Sequence, residues 1–84
     1  MEYNVKLTPT AEEDLKAFNK ELQKRFIKKI EKLKFYPHIH GKPLRGPLAG
    51  RWEIRFEKRW RIIYVINENT KDVEIISIWH KDDF

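Results

Sequence analysis

Arg51-Trp52-Glu53-Ile54-Arg55-Phe56-Glu57-Lys58-Arg59-Trp60-Arg61-Ile62-Ile63-Tyr64-Val65-Ile66 reads as two strands joined by a short turn. In its first part Trp52, Ile54 and Phe56 alternate with Arg51, Glu53 and Arg55. That period of two puts apolar groups on one face of a strand and charges on the other. Trp60 to Ile66 is apolar on both parities, as a central strand covered on both sides should be, and Arg61 is its exception. The turn Glu57-Lys58-Arg59 is short enough to make the strands neighbours, so Arg51, Arg55 and Arg61 are expected on one surface. Guanidiniums placed together repel one another and an ordinary core has no use for them, so an anion is expected there. The plainer reading, a solvated face with Glu53 and Glu57 as ion-pair partners, suits Arg51 or Lys58 alone. For Arg55 and Arg61 together, binding is the better reading.

Charge supports that reading. Residues 42–61 hold seven Lys/Arg (Lys42, Arg45, Arg51, Arg55, Lys58, Arg59, Arg61) against Glu53 and Glu57, a net +5 that equals the charge of the whole chain. A local cationic patch attracts polyanions, because neutralised phosphates release condensed counterions. Nucleic acid or an acidic protein is therefore the expected partner.

Outward from the hairpin, Tyr3, Val5 and Leu7 alternate with Asn4 and Lys6, predicting an N-terminal strand. Thr8-Pro9 and Thr10-Ala11-Glu12-Glu13 offer competing helix starts. Ala11, Leu15, Phe18, Leu22, Phe26, Ile30 and Leu33 then step by three or four, predicting helix. An unbroken helix to Phe35 is too long for so small a core, so a break near Asn19-Lys20 and an antiparallel helical hairpin are expected. Pro37 is expected to end the second helix, with Tyr36 to Gly50 as loop. Asn67 to Lys71 reads as a turn into a last strand, Val73 to Trp79, followed by a polar tail.

The 84 residues are expected to form one domain, residues 1–84. With no cysteine, disulfides, thiolate catalysis and sulfur-ligated zinc are excluded. No metal site or cofactor is implied. The longest apolar run, Ile62 to Ile66, is five residues against the ~20 a bilayer needs, and the N-terminus lacks a signal-peptide pattern. A cytoplasmic protein without membrane contact is expected.

Among acid–base groups, His80 with Lys81 follows the last strand, beside where the Arg61 strand would lie, and an imidazole there is the obvious proton-transfer group. His38 and His40 read as loop residues. Trp52 shares parity with Ile54 and Phe56, and Trp79 with Val73 and Ile75, so both are expected in the core.

Tyr3-x-Val5, Ala11-x-x-x-Leu15, Pro37, Lys42-Pro43-Leu44-Arg45-Gly46-Pro47-Leu48-Ala49-Gly50-Arg51-Trp52-Glu53-Ile54-Arg55, Trp60-Arg61-Ile62-Ile63-Tyr64 and Ile78-Trp79-His80-Lys81 together resemble the RelE/ParE superfamily of toxin–antitoxin toxins. The resemblance spans almost the whole chain. It implies an α+β, microbial-ribonuclease-like fold, with an N-terminal strand and helical hairpin packed on a twisted antiparallel sheet of about four strands. It also implies a type II toxin that cleaves mRNA on the ribosome without metal; the alternatives are a ParE-type DNA gyrase inhibitor, or a weak relic acting as a binding or corepressor module. By resemblance the catalytic set is Arg55, Arg61, His80 and Lys81. RNA or phosphate binding falls to Lys42, Arg45, Arg51, Lys58, Arg59 and Phe84. Phe84 stands where many members end in tyrosine, and it can stack but cannot donate a proton. Glu53 stands where some RelE-type toxins carry a second lysine. The implied partners are a RelB-like antitoxin, the ribosome and mRNA, with an antitoxin hetero-oligomer that binds operator DNA.

Overall fold

The structure is a computed structural model that describes residues 2–83, so Phe84 lies outside the described residues. Strand β1 (Asn4–Leu7) is followed by helices α1 (Pro9–Lys16) and α2 (Lys20–Glu31), a one-turn helix α3 (Pro37–His40), and strands β2 (Lys42–Pro43), β3 (Trp52–Phe56), β4 (Trp60–Asn67) and β5 (Asp72–His80). Among the described residues the strands form one sheet in the order β1-β5-β4-β3-β2. The fold is α+β as expected, with two differences in the sheet. It has five strands, because the glycine-rich stretch contributes the short β2; and it is mixed, because β1 runs parallel to β5 while the other pairs are antiparallel.

Local chemistry explains the helices. The Thr8 hydroxyl accepts from the Ala11 amide at 3.2 Å with Pro9 in the first helical position, so the first start signal wins over Thr10. The break falls where the sequence puts it: Asn19 caps α2 by accepting from the Leu22 amide at 2.9 Å. Pro37, however, opens α3 rather than closing α2, which has already ended at Glu31 and given way to a 3-10 turn, Lys32–Lys34. No helix among the described residues is long and apolar enough to cross a membrane.

The helix-side face of the sheet carries the core. Phe26 and Leu33 from the helical side are fully buried with Phe56, Ile62, Tyr64, Val73 and Ile75 from the strands. Each such side chain contributes about 1.5–3 kcal/mol when removed from water. Phe56 meets Phe26 edge-on at 5.7 Å and Phe18 at 6.0 Å, tying β3 to both ends of the helical layer. Tyr64 donates its hydroxyl to the Pro37 carbonyl at 2.7 Å, and burial pushes that phenol far above its ordinary pKa. Trp52 packs against this core as expected, stacked on Tyr64 at 6.4 Å.

A bulge in β5 changes the reading of its end. Ile63 pairs with Ser77 but Tyr64 pairs with Ile75, so Ile76 is an extra residue and the parity of β5 flips beyond it. Helix α1 supports the bulged stretch where β1 has run out. Thr8 donates its hydroxyl to the Ile76 carbonyl at 2.8 Å, and the Ile78 amide donates to the Asp14 carboxylate at 3.0 Å.

Candidate phosphate-binding site

The register decides the site. Arg55 of β3 pairs directly with Arg61 of β4, and Arg61 pairs with Trp79 of β5. Cross-strand partners share a face, so the two guanidiniums stand side by side on the face opposite the core. Like charges opposed in this way destabilise a sheet. Neither expected carboxylate relieves them. Glu57 is taken by Arg25 of α2 at 2.8 Å, and among the described residues no carboxylate lies within 4.0 Å of Arg51, Arg55, Arg61 or Lys42. Arg61 is steadied by donating from Nη1 to the Trp60 carbonyl at 3.0 Å.

Beside the pair is a cavity of about 220 Å³ lined by His40, Gly41, Lys42, Glu53, Ile54, Arg55 and Arg61. Three fixed cations face it against one carboxylate. Lys42 arrives there because β2 pairs it with Glu53. The chain can come this close to β3 only through Gly41, where a Cβ would collide with the Tyr64 hydroxyl and sit 2.7 Å from the Glu53 carbonyl. Gly50 serves the same region differently: its φ of 93° supplies the turn from which Arg51 leads into β3. Arg51 keeps the parity of Glu53 and Arg55 but does not line the cavity.

The expected residues therefore divide. Arg55, Arg61 and Lys42 meet in one place. Lys58 and Arg59 occupy the β3–β4 turn and line a separate shallow groove with Leu22 and Trp60. Arg45 lies on the exposed connection between β2 and β3, outside the cavity. The two residues at the end of β5 take opposite faces. Trp79, expected in the core, pairs with Arg61 and joins the arginine face, whereas His80 pairs with Trp60 and sits on the helix-side face, its ring edge-on to Trp60 at 5.2 Å. The one-residue bulge is the physical reason that Trp79 leaves the core face and that His80 takes the helix-side one. Lys81 follows in a 3-10 turn, its amide donating to the Arg59 carbonyl at 2.8 Å.

His40, expected as a loop residue, ends α3 and lines the cavity. The only available signal was its position next to Gly41, which marks a close backbone approach, but what is approached appears only in the fold.

Set against known proteins, this geometry has a clear home. The profile of the ParE toxin of type II toxin–antitoxin systems matches residues 5–83. The chain belongs to this toxin family. A Methanocaldococcus jannaschii protein designated a candidate toxin, RelE4, is 27% identical over 84 residues, covering 96% of this chain and 88% of its own length. The toxin–antitoxin complex RelBE2 of Mycobacterium tuberculosis contains a chain that superposes with a TM-score of 0.88 at 29% identity, covering 96% of this chain and all of that one. The chromosomal ParDE system of Pseudomonas aeruginosa gives a TM-score of 0.75 at 16% identity, covering 93% and 95% of the two chains. Proteins named for both the RelE and ParE branches thus share this fold.

Proposed function

We propose that this RelE/ParE-family toxin arrests translation by cleaving mRNA on the ribosome. The observation that carries the reading is the direct pairing of Arg55 with Arg61, two cations opposed on a sheet with no described carboxylate to neutralise them. A phosphodiester passing through a dianionic phosphorane is the kind of group such a pair stabilises, because preformed donors cost no reorganisation as charge develops. The 2′-hydroxyl attacks the adjacent phosphorus while Arg55, Arg61 and Lys42 hold the phosphate oxygens. That chemistry requires charge stabilisation and proton transfer, and calls for no metal. A RelB-like antitoxin presenting acidic side chains to this face would neutralise the toxin by charge complementarity.

The test is in vitro translation with primer extension on the mRNA, run beside a gyrase supercoiling assay. Discrete breaks in ribosome-bound mRNA are expected, with supercoiling unaffected. Inhibited supercoiling with intact mRNA would transfer the protein to the gyrase-inhibiting reading, for which the ParE family match is the supporting observation.

A further inference from the structure

Of the three histidines, two are already engaged. His38 is 2.7 Å from the Glu68 carboxylate and lies edge-on to Trp52 at 5.3 Å. His80 packs on Trp60, and its Nδ1 accepts from the Asp82 amide at 3.2 Å. The His40 side chain has no such partner among the described residues, and of the three histidines it is His40 that lines the arginine cavity. The groups facing it are Lys42 from β2, Glu53 and Arg55 from β3, and Arg61 from β4. Glu53 is the one carboxylate among them and is held in no ion pair with a described residue.

We infer that His40 and Glu53 are the acid–base pair of this site, His40 as the general acid and Glu53 as the general base. The inference rests on the nuclease reading above. In the step it describes, the O2′–P bond forms and the P–O5′ bond breaks. The proton leaving O2′ passes to the Glu53 carboxylate, and the His40 imidazolium gives its proton to the departing O5′. The products are a 2′,3′-cyclic phosphate and a 5′-hydroxyl, and solvent returns both side chains to their starting protonation. An imidazole with unoccupied nitrogens suits the acid's task, because a proton-transfer group must reach the leaving oxygen. Lys42, Arg55 and Arg61 have only donor N–H groups, so neither proton acceptance nor exchange near neutral pH falls to them. His80, on the other side of the sheet, is not placed to protonate an oxygen held by Arg55 and Arg61.

The test is single-turnover cleavage of mRNA on programmed ribosomes by the wild-type chain, His40→Ala, Glu53→Gln and Arg61→Ala, each on a normal phosphodiester and on one with a bridging 5′-sulfur. Sulfur leaves without needing a proton. His40→Ala should lose about 10²-fold or more on the oxygen substrate, lose the alkaline limb of the pH profile, and recover most of its deficit on the sulfur substrate. Glu53→Gln should lose its activity on both substrates alike, together with the acid limb. Because His40 is exposed, thermal melting should be unchanged in its variant. An Arg61→Ala variant that is inactive beside a His40→Ala variant with wild-type rate, or with the same deficit on both leaving groups, would overturn the acid role alone. A wild-type chain that cuts nothing, or full activity in Arg61→Ala, would overturn the nuclease reading and this pair with it.

Discussion

Two clusters of charge lie on this small molecule, and they are built in opposite ways. Around Glu68 the groups satisfy one another. Tyr3 donates its hydroxyl to the carboxylate at 2.9 Å, Lys71 reaches it at 3.1 Å and lies 5.4 Å from the Tyr3 ring centre, and His38 closes the group at 2.7 Å. The result is a tie between the start of the chain, α3 and the β4–β5 turn. Around Arg55 and Arg61 the cations instead face one another and a cavity. The first cluster's charge is paired within the fold, whereas the second, on the proposed function, is left in mutual repulsion for the phosphate it would hold. His38 and His40 restate the contrast on one turn of helix, the first consumed by packing and the second turned to the cavity.

The sharpest way to break this comparison is to remove a cation from the arginine cluster and, beside it, an aromatic side chain from the core. Arg61→Ala should lower single-turnover cleavage by about 10²–10³-fold, the usual effect of deleting one preorganised donor, while leaving the melting temperature close to wild type. A wild-type rate would show that the arginine face is solvated surface. On the opposite face Trp52→Ala should do the reverse. Trp52 is partly buried and stacked on Tyr64, so its loss should cost about 2–3 kcal/mol, somewhat below the range for a fully buried aromatic, and activity should fall only with the folded fraction. A stable but inactive Trp52 variant would put the tryptophan in the site rather than the core.

Salt sharpens the same contrast. Binding to ribosome-bound mRNA should weaken steeply between low and moderate salt, and Arg61→Ala should flatten that slope by about one phosphate contact. The melting temperature, governed by charges in close contact, should respond far less. Equal salt sensitivity of binding in the two proteins would show that Arg61 contacts no phosphate.

The smallest effect belongs to Glu68. Its carboxyl is held below the usual range, first by the Tyr3 hydroxyl and then by Lys71. A depressed folded-state pKa contributes stability that is present above the unfolded value and is lost as pH falls through the folded one. Glu68→Gln should therefore narrow the difference in melting temperature between neutral and acid pH, with cleavage at neutral pH retained. An unaltered acid decline would assign that loss to other carboxylates, Asp72 first, since hydrogen bonding from Thr70 also holds it low.

Much of this was legible in the chain itself. The alternation in β3, the interruption of an apolar strand by Arg61 and the three-residue turn together fix the Arg55–Arg61 neighbourhood, because a hairpin's register follows from its turn length. The helix break near Asn19-Lys20 was equally readable. The end of β5 was not legible by strict alternation, which carries Trp79 inward, whereas it pairs with Arg61 on the other face. The doublet Ile75-Ile76, where the apolar pattern changes parity, was the visible mark of the bulge. His40 was hidden for another reason. A residue in a connecting segment gains its meaning from what that segment lies against, and the contact of Gly41 with Tyr64 and Glu53 joins residues far apart in sequence.

The central claim, that Arg55 and Arg61 are opposed at a cost to the fold so that they can hold a phosphate, is tested most directly by one variant read two ways. Arg55→Gln keeps much of the side chain's length but removes the like-charge repulsion across the β3–β4 pair. Measured together, its stability should rise by about 0.5 kcal/mol, and its single-turnover cleavage of ribosome-bound mRNA should fall by about 10²-fold or more. A variant that melts earlier than wild type and cleaves as fast would contradict the account, and would make Arg55 an ordinary contributor to the sheet.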